Sequence, residues 1–277
     1  MGCTVRTRTE KYDALLGELR AMGRVAVAFS GGLDSTLLLH AARQALGGEA
    51  VLAVTCAAPY MPGAEIAEAR DTARAMGVRQ CALDIPFPED LRDNPPDRCY
   101  RCKRRLFTGM VEAAAREGVT AVLDGTNLDD LGDYRPGLRA LGELGIRSPL
   151  LTAGLTKQDV RELSREQGLV WDKPSGGCLL SRIPHGVRID EAVLRRVEQA
   201  EAVLRDLGFP AVRVRSHGDL ARIEVPAGRV AALVEADRRH GIDARLKALG
   251  YRHVAVDLAG YRMGSLNERL DGTKTAQ

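Results

Sequence analysis

The stretch VAVAFSGGLDSTLLLHAA, Val25 to Ala42, decides the fold. Arg24 to Phe29 reads as a buried strand, Asp34 to Leu46 as a helix with apolar residues at helical spacing, and the residues between them as a tight turn. Glycine in such a turn lets the backbone come close to a ligand, and the helix start offers unpaired N–H groups carrying partial positive charge. That pairing suits a phosphate; the plain alternative is a helix capped by Ser30 or Asp34. The turn is not G-x-x-x-x-G-K-[ST], since no lysine follows, and it is not G-x-G-x-x-G.

Working outward, the strand and helix theme repeats. AVLAVTCAA is a second strand, Ala64 to Met76 a helix and RQCALDI a third strand. Prolines and acidic residues from Pro86 to Asp97 break the periodicity, and a helix starting near Cys102 runs to Glu117. TAVLDGTN is a further strand, YRPGLRALGELGIRSPLL a helix and short strand, and TKQDVRELSREQGL a helix capped by Thr156 and stopped near Gly168. Strands alternating with helices imply a parallel sheet, so the expected class is α/β. Beyond Gly186 the pattern becomes helix, two strands, two helices and a strand, a smaller α+β domain. The expected domains are 1–185 and 186–277, with a frayed polar end from Asn267.

Composition narrows the function classes. The chain has 277 residues, 45% of them hydrophobic and 28% charged, as befits a globular protein with a sizeable core. A net charge of +3 does not announce nucleic acid binding, whereas the preponderance of Arg over Lys suits carboxylate or phosphate ligands. The N-terminal stretch lacks the apolar core of a signal peptide, and no run of about eighteen apolar residues occurs, so the expected place is the cytosol, with no membrane partner.

Six cysteines in a reducing compartment are ligands, catalysts or buried small hydrophobes rather than disulfides. DRCYRCKRRLF sets Cys99 and Cys102 as C-x-x-C among basic residues that favour thiolate, and Cys178 follows the flexible pair Gly176 and Gly177. Three thiolates fall one short of structural zinc and would leave the fourth iron of a [4Fe–4S] cluster open to a sulfide or a substrate. A C-x-x-C without metal is the plain alternative. Cys3, Cys56 and Cys81 are expected to pack.

Ser30 to Ser35 matches S-G-G-x-D-S, the PP-loop of the ATP pyrophosphatase family, residue for residue. With DGTNLDDLGDYRPGLRAL, GIRSPL, WDKPSGGCLLSRIPHG, RVRSHGDLARIEVP and DLAGYRMGSLNE, nearly the whole chain resembles the LarE family of ATP-dependent sulfur transferases. The resemblance implies an adenine nucleotide alpha hydrolase-like, Rossmann-like PP-loop domain with a C-terminal domain for substrate binding and assembly. It implies ATP and Mg²⁺, with Ser30, Gly31, Gly32 and Ser35 around the phosphates and Asp34 helping to hold the metal. Asp124, Thr126, Asn127, Asp129 and Asp130 follow a strand of the parallel sheet, where ligands commonly bind; they are expected metal or nucleotide contacts, Thr126 and Asn127 on the nucleotide, and a capped turn is the plain alternative.

Members thiolate pyridinium-3,5-biscarboxylic acid mononucleotide, an anionic nucleotide, on the way to the nickel-pincer cofactor of lactate racemase. Cys178 is the implied catalytic cysteine and Ser181, Arg182, Arg213 and Arg215 the implied substrate contacts. One branch sacrifices a single cysteine; another holds a [4Fe–4S] cluster on three, and Cys99, Cys102 and Cys178 resemble the second. Relatives assemble as hexamers, so a homo-oligomer is implied. Three rival readings stand beside this one: a tRNA-thiolating PP-loop enzyme, which would want a basic face; an amide-forming synthetase, which has no use for the three cysteines; and a zinc-stabilised ATP-binding module.

Overall fold

A computed structural model describes residues 6–132, 136–174 and 176–262. Cys3, Asp133 to Arg135, Ser175 and the tail from residue 263, including the end expected to fray, lie outside the described residues. The chain forms two compact units. The first gathers the chain through Ala58, Gly63–Pro86 and Cys99 to Pro174; the second gathers Pro59–Pro62, Phe87–Arg98 and Gly176 onward.

The first unit is built on a parallel four-stranded sheet of β1 (Val25–Ala28), β2 (Val51–Ala57), β3 (Arg79–Asp84) and β4 (Ala121–Leu123), ordered β3-β2-β1-β4. Its helices are α1 (Arg8–Met22), α2 (Leu33–Leu46), α3 (Gly63–Ala75), α4 (Arg98–Arg116), α5 (Pro136–Glu143), α6 (Pro149–Thr152) and α7 (Lys157–Glu166). β1 and the first six residues of β2 are apolar or small and almost wholly buried, as strands covered on both faces must be. Leu15 and Leu19 of α1, with Leu37 and Leu38 of α2, are fully buried in the core that includes β1 and β2; truncating one such leucine to Ala costs about 2–5 kcal/mol. The chain steps outward from β1 to β2 and β3, then returns to lay β4 on the other side of β1. The carboxyl ends of β1 and β4 therefore flank a topological switch point, where α/β sheets bind ligands.

Two local expectations need correction. α4 begins at Arg98, four residues before Cys102: the turn after Pro95 and Pro96 closes through the Arg98 N–H on the Pro95 carbonyl, so Cys99 falls in the first helical turn and Cys102 opens the second. The short strand expected in GIRSPLL is a single parallel bridge between Leu123 and Arg147, after which Pro149 opens α6, a proline at the first helical position.

The second unit has α8 (Glu191–Asp206), β5 (Arg213–His217), β6 (Leu220–Glu224), α9 (Val230–His240), α10 (Ile242–Ala248) and β7 (His253–Val256). β5 and β6 are antiparallel, β6 and β7 parallel, and Leu204, Phe209, Val214, Ile223, Leu233 and Leu246 fill the core. The Asp190 side chain caps α8 by accepting the Ala192 N–H.

Candidate functional site

The glycine turn folds as its residues require. Gly31 takes a φ of +69°, which strains any residue with a side chain, and a Cβ there would stand 3.1 Å from the Ala69 backbone of α3, close enough to press on it. Gly32 precedes α2 in extended backbone and supplies no side-chain cap, which leaves the first N–H groups of a fourteen-residue helix without an acceptor from the capping residue. The hydroxyls of Ser30 and Ser35 lie 3.1 Å apart, Ser35 Oγ donates to the Gly32 carbonyl at 3.1 Å, and the Gly32 N–H donates to Ser30 Oγ at 3.3 Å.

Asp34, in the first turn of α2, is held from two sides. Asn127 Nδ2 donates to its Oδ1 at 3.1 Å and Lys157 Nζ to its Oδ2 at 2.5 Å. Asn127 follows β4, where Thr126 Oγ1 donates to the buried Asp124 carboxylate and Ser148 Oγ donates to the same group. The Lys157 N–H at the start of α7 donates to Asp129 Oδ2 at 2.8 Å, while the Thr156 and Asp159 capping box fixes that start. Lys173 reaches the turn as well, donating to the Gly31 carbonyl at 2.9 Å and pairing with Glu68 at 2.7 Å. Sequence reasoning found neither lysine. Lys157 carried a signal: a cation at a helix N-terminus opposes the macrodipole and needs a carboxylate close by.

The second unit gathers Cys178, Ser181, Arg182, Arg213 and Arg215. Cys178, half-buried, caps a short 3-10 turn over Leu179–Arg182; Ser181 Oγ and Arg182 Nη1 both donate to its carbonyl, at 2.8 and 3.2 Å. Arg182 grips Glu201 through Nε at 2.8 Å and Nη2 at 3.2 Å, and Arg215 grips Glu224 through Nη2 at 2.7 Å while donating to the Ser181 carbonyl. Arg205 and Arg222 approach the same two glutamates from the rim. Burial lowers the pKa of the Arg213 guanidinium, and the positive Arg182 adds to that. β5 is an edge strand of its sheet, yet Arg213 and Arg215 are only 6% and 5% exposed, so their side chains do not form a solvated face. Arginine outnumbers glutamate around this point, a polarity that favours anions.

Cys99, exposed, and Cys102, half-buried, stand three residues apart and so share one face of α4. They belong to the first unit and Cys178 to the second. Among the described residues no three His, Cys, Asp or Glu side chains gather as a metal-binding group. For Mg²⁺ the donor set is nonetheless suitable, because that ion takes one or two carboxylates and completes its shell with nucleotide phosphates and water. Asp34 offers a hard oxygen donor of that kind, about one quarter exposed, at the helix start. Among the described residues no helix is long and apolar enough to cross a membrane.

Comparison with known proteins agrees with this geometry. The asparagine synthase family model matches residues 12–131, which take in the turn, the sheet and the loop after β4. Over 273 residues, 98% of each chain, the sequence is 39% identical to the pyridinium-3,5-bisthiocarboxylic acid mononucleotide synthase of Lactiplantibacillus plantarum. The chain belongs to the LarE family. It is an ATP-using sulfurtransferase built on a PP-loop domain. An uncharacterized protein of Synechocystis is 38% identical over 96% of this chain and 99% of its own. One of Methanocaldococcus jannaschii is 30% identical over 86% and 91%.

Proposed function

We propose that the protein adenylates the carboxylates of pyridinium-3,5-biscarboxylic acid mononucleotide with ATP and replaces oxygen by sulfur, supplying the nickel-pincer nucleotide cofactor of lactate racemase. A carboxylate is a poor acyl donor because oxide leaves badly. In the first step a carboxylate oxygen attacks the α-phosphorus of ATP and pyrophosphate leaves; in the second a sulfur nucleophile attacks the acyl carbon and AMP leaves. Ser30, Gly31, Gly32 and Ser35 hold the departing pyrophosphate with N–H and hydroxyl donors, and Thr126 and Asn127 order the nucleotide side. Asp34 would hold Mg²⁺, which supplies neutralising charge on the phosphates.

Residues 1–185 act in this reading as the ATP pyrophosphatase domain, and 186–277 as the domain for substrate binding and assembly. The observation that carries the reading is the buried arginine group beside Cys178: Arg182, Arg213 and Arg215, with Ser181, offer a desolvated anion site next to a thiol. The substrate's phosphate and second carboxylate fit that site.

Cys99, Cys102 and Cys178 would hold a [4Fe–4S] cluster, and that group would supply the transferable sulfide. The protein works in the cytosol as a homo-oligomer, a hexamer by resemblance to relatives. The test is iron, zinc and acid-labile sulfide per chain, on protein purified without oxygen and reconstituted, in wild type, Cys99→Ala, Cys102→Ala and Cys178→Ala. About four irons with matching sulfide, lost in each variant along with multiple turnover, is the expected result. Full activity in Cys99→Ala with none in Cys178→Ala would replace the cluster by Cys178 as the sulfur donor, left as dehydroalanine.

A further inference from the structure

We propose that Lys157 is a placeholder cation: in the nucleotide-free protein its ammonium neutralises Asp34, and it turns to the phosphates of ATP when a divalent cation takes its place on that carboxylate. The inference rests on the PP-loop reading of Ser30 to Ser35 and adds a positioning residue to it.

The geometry carries it in three ways. Lys157 Nζ sits 2.5 Å from Asp34 Oδ2, on a carboxylate in the first turn of α2, and both side chains are about one quarter exposed, so a hydrated cation from solvent reaches the same oxygen. Lys157 opens α7, where the dipole disfavours its charge; Asp129 Oδ2 accepts its N–H and the Thr156 box pins the turn, so the backbone is fixed while the four-carbon stem is free to swing. The two neighbouring lysines are committed elsewhere: Lys11 pairs with Asp159 at 2.7 Å, and Lys173 with Glu68 and the Gly31 carbonyl. Lys157 alone among these three sits on the PP-loop aspartate.

A divalent ion and an ammonium sharing one carboxylate repel each other. Loading of the metal therefore releases the ammonium beside the phosphates, where a compact point charge is useful. No ATP means no release of pyrophosphate and a quiet, charge-balanced loop.

The test uses the full chain and two direct binding measurements. Mn²⁺ binding without nucleotide is followed by electron paramagnetic resonance, and binding of Mg·ATP by calorimetry, in wild type, Lys157→Met, Lys157→Gln and Lys157→Arg. Both neutral variants should bind Mn²⁺ about tenfold or more tighter and Mg·ATP about tenfold or more weaker, with Lys157→Arg restoring most of both. Unchanged Mn²⁺ affinity in the neutral variants overturns the proposal, and so does tighter Mn²⁺ with unchanged Mg·ATP. If wild type binds no Mg·ATP, the PP-loop reading falls and takes the proposal with it. If wild type binds Mg·ATP, Asp34→Asn does not, and the neutral Lys157 variants behave as wild type, only the proposal falls.

Discussion

Glu201→Gln removes one of the two carboxylates inside the arginine group of the second unit. Glu201 is 1% exposed and accepts Arg182 Nε at 2.8 Å, Arg182 Nη2 at 3.2 Å, Arg205 Nη1 at 3.4 Å and the Val214 N–H at 3.0 Å. Glutamine keeps the shape but presents an NH₂ group to guanidinium donors and leaves the buried charge of Arg182 without its counter-ion. Breaking a buried pair in this way costs about 3–5 kcal/mol. At about 1.4 kcal/mol per decade, opening of β5 becomes two to three and a half orders of magnitude more frequent. Native-state hydrogen exchange reads this directly at the Val214 and Ile223 amides, with Val25 to Val27 of β1 as a reference in the other unit. Inorganic phosphate should return part of the lost protection, because an anion bound among unbalanced arginines stabilises the folded state by mass action. Protection at Val214 within about threefold of wild type, with or without phosphate, refutes the account of this group as a charged site held in balance by glutamate.

Two smaller perturbations test the first unit. Gly31→Ala forces a positive φ on a residue with a Cβ and brings that atom to 3.1 Å from Ala69, so pyrophosphate release should fall at least about tenfold while metal content per chain stays unchanged. Burial, with a smaller contribution from Cys81, pushes the Cys56 thiol up to about 12 from 9.0. In metal-free native protein near pH 8, iodoacetamide should label exposed Cys99 and spare Cys56, as peptide mass analysis would report. The sign for stability follows: the folded state holds this proton more tightly than the unfolded chain, so the contribution is full below about pH 9 and lost as pH rises toward 12.

The parts of the fold set by local sequence were legible without coordinates. The turn from Ser30 to Ser35 is six contiguous residues between a strand and a helix, and the capping box of α7 is four residues long, so short-range chemistry specifies both. The start of α4 is hidden in the sequence because a basic first turn, Arg98 to Arg101, runs against the dipole and resembles a loop. Lys157 and Lys173 meet the PP-loop from 123 and 142 residues away, through tertiary packing that no local pattern encodes. Arg213 and Arg215 alternate with valines in a way that suits a solvated edge equally well. In the fold Glu224 of β6 accepts Arg215 and Glu201 of α8 accepts the Val214 N–H, and neither glutamate gives any sign in the sequence of facing β5.

The measurement that tests the central claim most directly is the mass of the substrate after incubation with the anaerobically reconstituted protein and Mg·ATP, with AMP and pyrophosphate counted in the same samples. The account predicts one oxygen-to-sulfur exchange in the pyridinium mononucleotide for each AMP and each pyrophosphate formed, absent in Asp34→Ala and Cys178→Ala. Substrate of unchanged mass, with no AMP released by the wild-type protein, would contradict it.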